Sequence, residues 1–404
     1  MKRRILFVDD EPQVLEGLRL RLHRQRSRWE MAFADGGKTA LELLARAPVD
    51  VIVTDMRMPQ VDGVALLKEV QRLYPRVVRI VLSGHAELQA ALQAVPVAHQ
   101  FLTKPSEPGT IENVIERACN LQTLVNDETV KRIVGQIDIL PSLPKVYHQL
   151  LVALSTDAGS TAEVARILKQ DMAIAAKTLQ IVNSAFFRLS RSIVKIEEAV
   201  TYLGLNTIKH IVLAAEVFQN GHGRRPPAGL SLEELQDHAY LVGELAASFF
   251  KDQRAKEDAF VAGLLHDLGK LVLAMELPAA VEKVHAEMRS AGCSMHCAEE
   301  RVLGVTHAEV GGYLLGIWGL PYPIIEAVAN HHAPSRVDTK ELGILAAVHL
   351  ADGLANEVQG APAGPAPQSV LDQTFLTRLG VVEQVDGWRE LAERHVRNRG
   401  SAGS

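Results

Sequence analysis

The sequence predicts two folds in tandem: a doubly wound α/β domain with a five-stranded parallel sheet, then a larger all-α domain. Three observations carry this. Residues 1 to about 120 alternate short, unbroken apolar runs with amphipathic stretches, the pattern of parallel strands covered by helices on both faces. After LPSLP (140–144) strand signals stop and only helical periodicity continues. A length of 404 residues accommodates two or three domains.

The strands are expected at Ile5–Val8, Val51–Thr54, Arg79–Leu82 and His99–Leu102, with a weaker one near Trp29–Ala34. Helical patterns such as Gln13–Arg24 and Gly63–Leu73 lie between them. Residues 110–137 read as one helix or two. The all-α part is expected to run through helices that include Ile196–Leu203, Asn206–Gln219, Leu232–Phe250, Asp258–Met275, Cys297–Leu303, Thr306–Gly316, Pro323–His331 and Lys340–Val358. GHGRRPPAG (221–229) and GAPAGPAP (360–367) read as loops. The expected division is a first domain at 1–122, a helical connector at 123–139, the all-α domain at 140–396 and a disordered tail at 397–404.

Composition narrows the function. Apolar residues make up 47 % and charged residues 23 %, which is ordinary globular usage. Three cysteines cannot form a disulfide framework and fit a reducing cytosol; Cys293 and Cys297 read as ordinary thiols. The start, MKRR and four apolar residues, does not read as a signal peptide, and no run is long enough to span a membrane. Residues 1–125 carry 17 Lys and Arg against 15 Asp and Glu; the remainder carries 26 against 33. An acidic C-terminal part argues against direct DNA binding, which needs a basic face.

In a parallel α/β sheet, chemistry gathers at the carboxyl ends of the strands. Here those ends carry Asp9-Asp10, Asp55 followed by Met56-Arg57, Ser83, and Lys104-Pro105. Converging carboxylates repel unless a hard divalent cation joins them, and Mg²⁺ suits oxygen ligands. An ammonium balances the remaining charge and can hold an added phosphoryl oxygen. On these residues, the segment from 3 to about 122 resembles the receiver domain of two-component response regulators, a flavodoxin-like fold. The resemblance implies Asp55 as phospho-acceptor and Mg²⁺ held by Asp9, Asp10, Asp55 and the Arg57 carbonyl. It implies Ser83 as switch hydroxyl, Phe101 as rotating aromatic, Lys104 as phosphate contact, and a sensor histidine kinase as phosphodonor in the cytoplasm.

In the all-α part, LPSLP, Asp171, Val182-Asn183-Ser184 and Leu203-Gly204 combine with His266-Asp267 in VAGLLHDLGKLVL, which reads as one apolar helix. Glu234 and His238 stand four apart, so on a helix both point the same way. His307 begins a helix behind the capping box Thr306-x-x-Glu309. His331-His332 end another helix, and Asp352 sits in AAVHLADGLA. An adjacent His-Asp with distant His and Asp is what a mono- or dinuclear metal site needs. Lys270 lies one turn from His266 and could hold a phosphate.

From about 133 to 352 this part resembles the HDOD domain, a regulatory relative of HD phosphohydrolases. The resemblance implies an output by protein–protein signalling to a downstream protein. The alternative is a metal-dependent phosphodiesterase with two Fe or Mn ions and a cyclic dinucleotide as ligand, using Glu234, His238, His266, Asp267, Lys270, His307, His331, His332 and Asp352. In the related cyclic di-GMP phosphodiesterases Gly-Tyr-Pro follows the paired histidines; here Ala333-Pro334-Ser335 does. A homodimer is compatible with either reading.

Overall fold

The computed structural model describes residues 2–84, 94, 96–104, 109–124, 128–137, 144–155, 160–184, 191–221, 231–339, 341–359 and 371–402. Two compact units emerge: Met1–Ile139 with Gln180–Ser192 and Gly316–Gly319, and the remainder.

The first unit holds a five-stranded parallel sheet of β1 (Arg3–Val8), β2 (Trp29–Ala34), β3 (Val51–Asp55), β4 (Val78–Gly84) and β5 (Gln100–Lys104), in the order β2-β1-β3-β4-β5. All five predicted strands exist. The last begins at Gln100, because His99 is occupied with Arg79: its Nδ1 accepts from the Arg79 amide at 3.0 Å. Ile5, Phe7, Val51, Val53, Ile80 and Leu82 are buried on the sheet, and Leu18, Ile111 and Ile115 from helices close over them. Central strands buried on both faces produce the unbroken apolar runs; β2, an edge strand with partly exposed side chains, produces the weaker signal. Helices α1 (Pro12–Arg21), α2 (Gly37–Arg46), α3 (Gly63–Leu73) and α4 (Thr110–Leu124) belong to this unit, and α5 (Glu128–Gln136) follows. The 110–137 pattern is thus two helices.

The helical part of the chain runs α6 (Pro144–Ser155), α7 (Thr161–Leu168), α8 (Met172–Val182), α9 (Ile196–Gly221), α10 (Leu232–Ser248), α11 (Gln253–Leu265), α12 (Leu268–Glu276), α13 (Pro278–Ala291), α14 (Met295–Leu303), α15 (His307–Ile317), α16 (Tyr322–Asn330), α17 (Ile344–Gln359), α18 (Gln373–Leu379) and α19 (Val385–Ala402). Pro144 opens α6, where a missing N–H costs nothing. Asp171 caps α8 by accepting from the amides of Ala173 and Ile174 at 2.9 and 3.0 Å. At Ser184, beyond the end of α8, the hydroxyl donates to the Ile181 carbonyl at 2.6 Å. Within α9, Gly204 takes φ 76°, a left-handed conformation that side chains resist, and so separates the two predicted helices there.

Three readings are corrected. The single helix expected over Asp258–Met275 is two, α11 and α12, broken at His266-Asp267. Helices α18 and α19 lay outside the predicted set. Helix α19 runs through the segment expected as a disordered tail, with Glu393 and Arg397 paired one turn apart at 3.7 Å. Residues 85–93, Pro105, LPSL (140–143) and the two glycine- and proline-rich stretches after 221 and from 360 lie outside the described residues. Among the described residues, no helix is long and apolar enough to cross a membrane.

Candidate functional site

At the carboxyl edge of the sheet, the strand order places the ends of β1, β3, β4 and β5 side by side. Lys104 Nζ lies 2.6 Å from Asp9 Oδ2 and 2.5 Å from Asp55 Oδ1, so one ammonium holds two carboxylates together. The Arg57 amide donates to Asp55 Oδ2 at 3.1 Å, and the Glu11 amide to Asp9 Oδ1 at 3.0 Å. Burial lifts the Asp55 carboxyl above its usual range; Lys104 pulls it down and Asp9 adds to the lift. Against its burial, Asp55 and Asp9 hold Lys104 above the ordinary lysine value. Ser83 is buried on β4, Phe101 is buried on β5, and Asp10 is half-buried. This edge therefore combines hard oxygen donors, a buried carboxylate and a cation shared by two carboxylates.

The second constellation comes from helix ends. Two adjacent residues on a continuous helix point about 100° apart. The break at His266-Asp267 changes that: His266 caps the end of α11, and Asp267 starts α12 with φ −97° and ψ 8°. Both side chains then enter one cluster, with His266 Nε2 3.4 Å from Asp267 Oδ2. Gly269 makes room for the next element. A Cβ there would stand 1.9 Å from the His307 carbonyl oxygen, so only glycine lets α12 approach the start of α15 this closely. That start is secured by the predicted capping box. The Thr306 amide donates to Glu309 Oε2 at 2.9 Å, and the Glu309 amide to Thr306 Oγ1 at 3.3 Å. His331 caps α16, His332 follows it, Asp352 comes from α17 and His238 from α10.

These residues form two groups whose ligand atoms lie within 4.8 Å of one another: Asp267, His307, His331 and His332 in one, and His238, His266 and Asp352 in the other. Each aspartate faces both. Asp267 Oδ1 is 3.3 Å from His307 Nε2 and 3.9 Å from His331 Nε2, while its Oδ2 is 3.4 Å from His266 and 4.0 Å from His238. Asp352 Oδ1 is 3.1 Å from His238 and 3.7 Å from His266, and its Oδ2 is 3.8 Å from His332.

In four of the five histidines Nδ1 is tied to an oxygen acceptor, while His332 Nε2 lies 2.9 Å from His307 Nε2. The Nδ1 atoms of His266 and His331 donate to the carbonyls of Gly263 and Val328, at 2.6 and 2.8 Å. His307 Nδ1 donates to Glu299 Oε2 at 2.6 Å, and His238 Nδ1 to Gln359 Oε1 at 2.9 Å. Oxygen acceptors fix the proton on Nδ1 and leave Nε2 to face the cluster, the arrangement that metal-ligating histidines show. Four buried atoms of the cluster, His266 Nε2, His331 Nε2, Asp267 Oδ1 and Asp352 Oδ2, have no hydrogen-bond partner among the described residues. Buried polar atoms left so are costly. One or two divalent ions bound by this mixed imidazole and carboxylate set would satisfy them.

The buried charges of the cluster act strongly on one another. Burial disfavours a charged His266, but Asp267 and Asp352 outweigh it and push His266 up to about 10. His307 is likewise raised against its burial, by Glu299 and Asp267. Burial, with the charged rings beside them, drives His331 and His332 well below the usual histidine range.

Of the sequence-predicted residues, the structure brings together His238, His266, Asp267, His307, His331, His332 and Asp352. Lys270 joins them through Asp267 Oδ2 at 2.6 Å. Glu234 does not belong. It is exposed in the first turn of α10, where its amide donates to the capping Ser231 hydroxyl at 3.2 Å. The helical spacing from His238 is right, but the helix start turns Glu234 to solvent. Sequence reasoning missed Glu299, which neighbours an exposed Glu300 and carries no distinguishing pattern. It also missed His296, stacked on His332 with ring centroids 4.5 Å apart. A third omission is His349, which donates to the His331 carbonyl at 2.7 Å and accepts from the Asp372 amide at 2.9 Å. Its signal was present, three residues before Asp352.

Residues 5–116 match the response regulator receiver domain, and residues 140–334 match the HDOD domain. An uncharacterized protein of Treponema pallidum is 26 % identical over 265 residues, covering 64 % of this chain and 50 % of that protein. The response regulator protein PilR of Pseudomonas aeruginosa is 31 % identical over 178 residues, 42 % of this chain and 40 % of PilR. The chain thus spans half or less of the length of these relatives. Among solved structures, the MmoQ response regulator of Methylococcus capsulatus aligns with a TM-score of 0.49 at 18 % identity, over 62 % of this chain and 98 % of that one. The chain is a response regulator composed of a receiver domain and an HDOD domain.

Proposed function

We propose that phosphorylation of Asp55 controls an HDOD domain that holds a divalent metal centre and hydrolyses a phosphoester. In the receiver, Asp9, Asp10, Asp55 and the Arg57 carbonyl would hold Mg²⁺. Lys104, now shared by Asp9 and Asp55, would turn to the new phosphoryl oxygens. Ser83 and Phe101 would follow, shifting a two-state equilibrium. A histidine kinase is the natural phosphodonor, and the cytoplasm the natural setting.

The observation that carries the output reading is the set of four unpartnered buried atoms beside histidines whose Nδ1 atoms are already tied. Divalent ions bound there supply Lewis-acid activation of water for attack on phosphorus. Asp267, Asp352 and the five histidines would hold the ions, and Lys270 would orient a phosphate oxygen.

One observation favours the second reading, output by protein–protein signalling alone. The segment after His332 closes into a short turn, Pro334–Arg336, and Ser335 donates to Asp372 at 2.5 Å. Both the closed turn and the missing Gly-Tyr-Pro leave fewer groups for a nucleotide. The test is metal analysis of the purified full chain, with hydrolysis of bis(p-nitrophenyl) phosphate and cyclic di-GMP measured with and without acetyl phosphate. Bound Mn or Fe with hydrolysis that responds to acetyl phosphate is expected. Bound metal without hydrolysis leaves the signalling reading; absence of metal after Mn²⁺ or Fe²⁺ is supplied removes the centre itself.

A further inference from the structure

The two halves of the cluster are built unequally. The half made by Asp267, His307, His331 and His332 offers four ligands, and the first three of these residues are completely buried. The other half, His238, His266 and Asp352, offers three, and the His238 side chain is 13 % exposed.

Their supports differ in charge. His307 is backed by Glu299, a carboxylate itself 1 % exposed. One oxygen, Oε2, accepts from both the His307 ring at 2.6 Å and the His307 amide at 2.9 Å, which fixes the ring and the start of α15 together. A carboxylate behind an imidazole raises its basicity as a ligand. His238 is backed by the neutral amide oxygen of Gln359, an exposed residue at the end of α17.

Lys270 adds a second asymmetry. Its ammonium sits on Asp267 Oδ2, the oxygen that faces His266 and His238. A cation in that half meets the ammonium as a like charge and shares the oxygen with it. Asp267 Oδ1, facing His307 and His331, has no such competitor.

We infer that the Asp267–His307–His331–His332 half binds a divalent cation first and more tightly, with Glu299 as its positioning residue, and that the His238–His266–Asp352 half takes an exchangeable ion. This rests on the metal-centre reading above and adds an order of loading to it. Lys270 and a second ion then compete for the same carboxylate oxygen, so the second half is filled only when the ammonium moves away.

The test is Mn²⁺ titration of the full chain in excess Mg²⁺, which keeps the receiver pocket occupied, with free Mn²⁺ read by electron paramagnetic resonance. Wild type is expected to show two classes of bound Mn²⁺. Glu299→Gln, which keeps volume and one acceptor, should weaken the tighter class by about 10- to 100-fold and leave the weaker class in place. The retained class also reports that the domain is folded. Gln359→Ala, at an exposed position, should weaken only the looser class, and Lys270→Met should tighten it. A single class of equal sites in wild type, or Glu299→Gln weakening both classes equally, overturns the inference while leaving the metal centre standing. No Mn²⁺ bound by wild type overturns both.

Discussion

The receiver pocket and the HDOD cluster are both acidic centres, yet they meet the cost of clustered carboxylates in opposite ways. In the receiver, Lys104 joins Asp9 and Asp55, so the charges are met by one movable side chain at a strand end. In the HDOD domain, Asp267 and Asp352 are buried among five imidazoles whose outer nitrogens are mostly tied down, and four polar atoms remain without partners. Under the proposed function, the first centre changes partners, and the second stays still and accepts an ion. A switch and a socket therefore call for different supports, a flexible ammonium in one and fixed hydrogen bonds in the other.

The sharpest way to break this comparison is a crossed pair of substitutions. Asp55→Asn should abolish acetyl phosphate labelling completely and leave intact the Mn²⁺ held by the HDOD cluster. Asp267→Asn should do the reverse and weaken Mn²⁺ binding, most in the half of which Asp267 is a member. Labelling that persists in Asp55→Asn would refute the phospho-acceptor assignment; undiminished Mn²⁺ in Asp267→Asn would refute the role of Asp267 as a ligand.

Next comes the close approach at Gly269. Gly269→Ala must displace α15 from α12, and overpacking of this kind costs roughly 1–3 kcal/mol. Loss of stability in a denaturant titration, together with weaker Mn²⁺ binding, is expected, because His307 moves with its helix. A variant as stable as wild type would show that the contact is loose.

The capping box is a smaller test. Thr306→Ala removes one arm of the reciprocal pair and should cost about 1 kcal/mol. The receiver supplies the pH arm. Burial raises the Asp55 carboxyl in the folded state, so the folded protein binds this proton more readily than the unfolded one. The associated stability is present below the unfolded carboxylate value, near 3.8, and is lost as pH rises through the higher folded value. Asp55→Asn should therefore raise receiver stability at neutral pH, by on the order of 1 kcal/mol, and flatten that dependence. A melting temperature unchanged at pH 7 would contradict it.

The two regions also differ in how well the sequence announces them. Every receiver residue except Phe101 sits at or just beyond a strand end, within a few positions of an apolar run, so periodicity located the site directly. The HDOD ligands come from α10, α15, α17, the α11–α12 junction and the end of α16, spread from His238 to Asp352. Their residue types and order were readable, but not their neighbours. Glu234 had the right spacing and the wrong surroundings, because a helix start faces solvent there. Glu299 had no spacing signal, because only the packing of α14 against the start of α15 brings it to His307. The break at His266-Asp267 was hidden for a related reason: LLHDLGKLVL is apolar on both sides, and no proline marks the interruption.

That break has a consequence for anyone who would transplant the site. Copying the His-Asp dipeptide onto an uninterrupted helix of a designed bundle would send the two side chains to different faces, and no choice of surrounding ligands would recover the missing one. The portable unit is the bent joint with its glycine two residues on, and a scaffold must be chosen for its corner before it is chosen for its histidines.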